Sequence, residues 1–185
     1  MNQTRRDWID KVADAVRYTY NIESPIDDIR NVVKNMGGKI VTDFSITDGR
    51  IIKDSDNSFT IFVSSNEKYF NGRYTRFTIA HELGHLVLHM HYKSDIEKWN
   101  QIKNGESFNR DGYSEKEFDA NEFASAFLMP KNEFYRIADK HIAIHKDGKK
   151  YVNTSALAAH FNVSEFAAIN RGMHLGVFRY SIAIM

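Results

Sequence analysis

The sequence predicts an α+β fold: a small, mostly antiparallel sheet packed on a central helix, followed by a helical carboxyl-terminal part. Two observations carry this expectation. Short β-branched runs at 39–44, 50–53 and 58–64 are separated by Asp-Gly and Asp-Asn-Ser turn signals, with helical periodicity on either side. The stretch from Arg73 to about His91 is apolar nearly all round, which marks a helix buried inside the molecule.

The elements follow in order. Trp8, Val12, Ala15, Val16 and Thr19 recur with helical spacing and predict a first helix over 6–20. Ser24-Pro25-Ile26-Asp27 reads as the start of a second, with Ser24 as N-cap, Pro25 at the first helical position and Gly37-Gly38 as its end. The three β-branched runs come next, then the 73–91 helix. In it Phe77, His81, His85 and Leu88 share one side, while Ile79, Leu83, Leu86 and Val87 cover much of the other. Gly84 costs this helix about 1 kcal/mol relative to Ala, so close approach of another element or a substrate is one reason for it and a plain packing contact another. Residues 93–112 are polar and read as a long surface loop bordering a cleft. Ser114 to Met129 forms a strong helix closed by Pro130, with further helices over 131–140, 154–161 and 164–172 and an apolar, β-like end from Val177 to Met185. The expected division is a larger domain over 1–140 and a smaller, helix-turn-helix-like carboxyl-terminal subdomain over 141–185 packed on it.

Composition narrows the function. A chain of 185 residues with a formal charge of +1 has no global field to attract nucleic acid or an anionic membrane. With no cysteine, disulfides and thiolate metal sites are excluded, so any metal must be held by imidazole and carboxylate. The polar amino terminus lacks the apolar core of a signal peptide, and no run approaches the roughly 20 apolar residues of a membrane span. The expectation is a cytoplasmic protein without membrane contact.

His81-Glu82-Leu83-Gly84-His85 is the stretch that carries chemistry. Imidazoles four residues apart lie about 40° apart around a helix, so both can reach one ion. Neutral imidazole suits Zn²⁺, and a carboxylate beside the ion can take a proton from water acidified by it. This predicts one zinc ion, with Glu82 as catalytic base. For the third ligand, Glu117 shares a face with Ala120, Asn121, Ala124 and Leu128, all within about 60° of it, whereas Glu115, Asp119 and Glu122 fall about 140–200° away, on a face expected to be solvated. A carboxylate aimed into a core is costly unless it meets a cation. Glu117 therefore reads as the third ligand, and Asn121, one turn on, as a hydrogen-bond partner of a ligating histidine. Ser114-Glu115-Lys116-Glu117 also fits a capping box, in which Glu117 would bond back to the backbone at Ser114.

Arg76-Phe77-Thr78-Ile79-Ala80-His81-Glu82-Leu83-Gly84-His85, then Glu117-Phe118-Asp119-Ala120-Asn121-Glu122-Phe123-Ala124 and Leu128-Met129-Pro130, resembles the ImmA/IrrE family of metallopeptidases. The resemblance extends more weakly over most of the chain. It implies a core like that of thermolysin-type gluzincins, His81, His85 and Glu117 as metal ligands, and Glu82 as base. It also implies intracellular cleavage of helix-turn-helix repressors that control mobile elements, phage or stress genes. In gluzincins an edge strand pairs with extended substrate, and the 58–64 strand is a candidate for it, with an ordinary core strand as the alternative.

Other signals compete. His85 and His89 are also four apart, but no Glu follows His85; His141 and His145 lack a base too and read as a surface face. Tyr74, His89, Tyr113, His141 and His145 are all candidates for an oxyanion-stabilising donor. Residues 154–176 have the cadence of a helix-turn-helix, yet Arg171 is nearly alone as a basic residue on its second helix. Direct DNA contact is therefore not expected, and packing on the core or docking a protein substrate is. A repressor-cleaving peptidase is the leading expectation. A non-proteolytic regulatory or antitoxin-like binding module that retains the fold is the alternative.

Overall fold

The computed structural model describes residues 2–65, 72–108, 114–144 and 150–178. Helices α1 (Gln3–Thr19) and α2 (Ile29–Asn35) lead into strands β1 (Gly38–Asp43), β2 (Arg50–Ser55) and β3 (Ser58–Ser64). Then come α3 (Gly72–Leu88), α4 (Ile96–Gln101), α5 (Glu115–Leu128) and α6 (Lys131–Lys140), a hairpin of β4 (Ile142–Ile144) and β5 (Lys150–Val152), and α7 (Thr154–Phe161) and α8 (Glu165–His174). This is the α+β architecture expected, with no described helix long and apolar enough to cross a membrane.

The main sheet has the order β1-β3-β2. β2 and β3 form the antiparallel hairpin that the Asp-Asn-Ser turn signals, whereas β1 runs parallel to β3, with Gly38 opposite Phe59 and Asp43 opposite Ser64. A parallel pair needs a crossover, and here β2 supplies it, so the strand next in sequence to β1 is not its neighbour in space. β3 is thus the central strand, paired along both edges, and cannot receive a substrate strand. The alternative reading of it, as a core strand, is the right one.

α3 lies against the sheet and α5 packs on α3, while α1 packs in turn on α5. One apolar core runs through these layers, from Ile9 of α1 through Ile61, Leu83, Phe123 and Phe127 to Phe134, Phe161 and Phe178. Gly84 is where α3 and α5 come closest: a methyl group there would meet the Ala120 backbone at 3.0 and 3.1 Å. The helix-interior glycine is the condition for that approach.

Local corrections have physical reasons. The second helix begins at Ile29, not Pro25, because Asp28 caps it, accepting from the Arg30 and Asn31 amides at 2.8 and 3.2 Å. The 93–112 region is not all loop. Asp95 caps α4, and Trp99, fully buried, anchors it. Residues 105–108 then return along the outer edge of β2, where Gly105 N donates to Lys53 O, Lys53 N to Glu106 O and Phe108 N to Ile51 O. Of the expected final strand, Val177 and Phe178 are not in a strand and residues 179–185 lie outside the described residues.

Candidate metal centre

α3 and α5 cross so that His81, His85 and Glu117 converge. His81 Nε2 lies 3.0 Å from His85 Nε2, 3.2 Å from Glu117 Oε2, and His85 Nε2 lies 3.3 Å from Glu117 Oε1. All the candidate ligand atoms fall within 4.8 Å of one another. Glu117 is not a cap: Ser114 makes no side-chain capping bond, and the Glu117 carboxylate is turned to the imidazoles.

The back of each imidazole is held. His81 Nδ1 is 2.9 Å from Asn121 Oδ1, so the ring must donate there and present its Nε2 lone pair to the cluster. His85 Nδ1 is 3.0 Å from His89 Nδ1. Burial, together with the charges of Lys116 and Arg5, pushes the His89 imidazole down to about 4 against the pull of Asp119, so His89 is neutral at pH 7. A neutral His89 that accepts from His85 at Nδ1 leaves the His85 Nε2 lone pair facing the same point. Two imidazole lone pairs and a carboxylate in mutual contact repel unless a positive charge lies among them. That donor set, two nitrogens and a carboxylate, can hold a metal ion.

Glu82 follows His81 and is 1% exposed. It packs on Gly49, just before β2, where an added Cβ would stand 2.5 Å from Glu82 Oε1. The strand edge bordering the candidate base is therefore that of β2, not β3. Residues 105–108 cover this edge from Ile51 to Lys53 and stop short of Gly49 and Arg50.

Sequence reasoning missed a second layer. His89 is turned to the back of His85, its Nδ1 against the ring of a candidate ligand. Its Nε2 faces Asp119 at 3.8 Å, and Asp119 is paired with Arg5 of α1 through a short ion pair and a 3.2 Å bond from Arg5 Nε. Phe108 stacks on the His85 ring at 4.3 Å and 24° and closes this side. His89 carries a signal in its spacing from His85. Asp119 carries none, because its helical phase on α5 is that of a solvated face. In fact Asp119 and Glu122 are 5% and 4% exposed, since α1 and α8 cover that side of α5. Glu122 meets Arg171 at 3.3 Å, Arg6 at 3.4 Å and His174 at 2.9 Å, and Arg171 also donates to Asp10 at 2.7 Å and to Met129 O at 3.1 Å. Of the remaining oxyanion candidates, Tyr74 stands 3.5 Å from Asp48 Oδ1 and His141 is exposed at the end of α6. Tyr113 and His145 lie outside the described residues.

No curated protein matches the chain significantly. Among solved structures seven chains match, one of them a Mycobacterium tuberculosis transcriptional regulator with a TM-score of 0.54 and 19% identity. The superposition covers 91% of this chain and 50% of that one, so the chain spans half the length of that regulator; at this identity the likeness is one of fold. The IrrE N-terminal-like domain matches residues 39–173, well over half of the chain and inclusive of α3 and α5 with all the residues of the cluster. By that match the chain belongs to the peptidase family of the IrrE N-terminal-like domain.

Proposed function

We propose that the chain is a cytoplasmic, zinc-dependent metalloendopeptidase that cleaves a helix-turn-helix repressor and so relieves repression of a mobile element, phage or stress genes. The observation that supports it best is the convergence of His81, His85 and Glu117 on one point, with Glu82 next in sequence to the first of them. In this reading His81, His85 and Glu117 hold zinc, which supplies Lewis acidity that acidifies water and polarises a peptide carbonyl. Asn121 and His89 fix the two imidazoles in the tautomer that offers Nε2. Glu82 accepts the proton of the attacking water on its carboxylate and returns it to the leaving amine. Substrate main chain enters along the β2 edge at Gly49, beside Glu82. The 141–185 part acts as a subdomain that docks the protein substrate.

Glu82→Gln keeps the shape of the side chain and removes the base. Incubation with the repressor encoded nearby should show cleavage by the wild-type chain and none by the variant, with zinc content unchanged in both. Normal cleavage by Glu82→Gln would sink the mechanism. One of the matched solved structures is a transcriptional regulator, and a second reading of the same fold is a non-proteolytic regulatory module. Bound zinc with no cleavage by the wild-type chain would select that one.

A further inference from the structure

A cleft of about 650 Å³ opens one turn from the metal ligands, between α3 and α5 on one side and α8 on the other. Phe77 lies one turn before His81, Phe118 directly follows Glu117, and Asn121 touches His81, so this wall is continuous with the metal centre. The opposite wall is the outer face of α8, with Phe166 and Asn170 one turn apart. Phe166 is 74% exposed and Phe118 55%. Aromatic rings left in water beside a cleft mark a surface that meets a partner.

α8 is the second helix of the helix-turn-helix-like pair: Asn162 in the left-handed conformation ends α7, and Ser164 caps α8 by accepting from the Ala167 amide at 3.1 Å. In a DNA reader this helix would present cations. Here Arg171 is spent inside the molecule on Asp10 and Glu122, and His174 Nδ1 lies 2.9 Å from Glu122 Oε2. The side of α8 that remains offers an aromatic ring and an amide and is turned to the cleft. Arg73, exposed at the rim, has no ion-pair partner among the described residues and complements an acidic group.

We propose that α8 is a substrate-reading wall: Phe166 and Phe118 grip a bulky apolar side chain of the bound peptide close to the scissile bond, and Arg73 selects an acidic residue near it. The cleft is larger than one aromatic ring, so it takes a short stretch of peptide. Asn170 is placed to pair with the backbone of that stretch. This proposal rests on the peptide-hydrolase reading and assigns that site its substrate class.

The test digests a peptide library with the zinc-loaded full chain and, in parallel, measures binding of fluorescent peptides to the Glu82→Gln chain. Bulky apolar residues should be enriched beside the cleavage point, with acidic residues a few positions away. Phe166→Ser should raise KM for such peptides about tenfold or more, the scale on which an apolar pocket discriminates, without an equal fall in kcat. It should weaken binding to the Glu82→Gln chain by a similar factor, and Arg73→Glu should erase the acidic preference. Cleavage without side-chain preference, or a preference unchanged in both Phe166→Ser and Phe118→Ser, overturns the proposal and leaves the hydrolase reading standing. Absence of cleavage together with peptide binding lost in Phe166→Ser removes the hydrolase reading and keeps the role of α8. Salt-sensitive binding of duplex DNA that Phe166→Ser abolishes would give the helix to nucleic acid and overturn the proposal.

Discussion

Gly84→Ala separates the stability of the fold from that of the metal centre. The added methyl group would stand 3.0 Å from Ala120 Cα, 3.1 Å from Ala120 O and 3.2 Å from Phe123 Cβ. Carbon atoms pack comfortably at about 3.5–4.0 Å, so α5 must retreat by a few tenths of an ångström. Two effects oppose each other. Replacing a helix-interior glycine by alanine gains about 1 kcal/mol, and overpacking a close contact costs about 1–3 kcal/mol. Two of the three neighbours are backbone atoms, which cannot rotate aside as a side chain can. Overpacking therefore wins, and the metal-free protein should lose about 1 kcal/mol net. The retreat runs along the line joining the helix of His81 and His85 to the helix of Glu117, so zinc affinity should fall by more, on the order of 10–100-fold. Urea unfolding of the metal-free chain and zinc competition with a chromophoric chelator read the two quantities independently. A variant as stable as wild type with unchanged zinc affinity would refute the reasoning.

Arg171→Met removes the cation that Asp10 and Glu122 share in the interior; since Glu122 keeps Arg6 and His174, the cost should lie near the low end for a broken buried pair, about 3 kcal/mol, read as a shift in denaturant midpoint. Burial pulls the Glu122 carboxyl upward, but the hydrogen bond and charge of His174, with Arg171 and Arg6, outweigh it and hold it below its ordinary 4.5. Its contribution to stability is then complete above the unfolded-state value and lost as pH falls through the lower folded-state value, so Glu122→Gln should flatten the acid limb of a stability–pH curve. An unchanged limb would mean other carboxylates set it. Asn121→Ala and His89→Ala each release one imidazole and should weaken zinc binding about 10–100-fold with helical content preserved; unchanged affinity in both would show that packing alone holds the rings.

The cluster itself was legible in sequence because helical geometry is local. His81 and His85 share a face by spacing, and Glu117 is the acid whose phase matches the apolar stripe on its helix. What lay beyond a single helix was not legible. Asp119 and Glu122 have polar phases on α5, and only the placement of α1 and α8 buries them. Arg171 has the look of a DNA-contacting side chain until Asp10, far away in sequence, is found against it. The parallel pairing of β1 with β3 was hidden for the same reason: strand propensity says that a segment is extended and says nothing of its neighbour, so β3 could be taken for an edge when β2 holds that place.

Helix α1 lies before residue 39, where the family match begins, yet Arg5 pairs with the carboxylate facing His89, and Asp10 anchors the arginine that ties α8 to α5. The stretch by which the family is recognised and the stretch that folds as a unit are therefore different lengths of chain. A protein trimmed to the recognised stretch would keep every candidate ligand and the candidate base. It would also take Arg5 from Asp119 and Asp10 from Arg171, leaving Arg171 only Glu122 as a carboxylate partner among the described residues, so the residues before 39 bear on how firmly α5 and α8 are held behind the candidate metal centre.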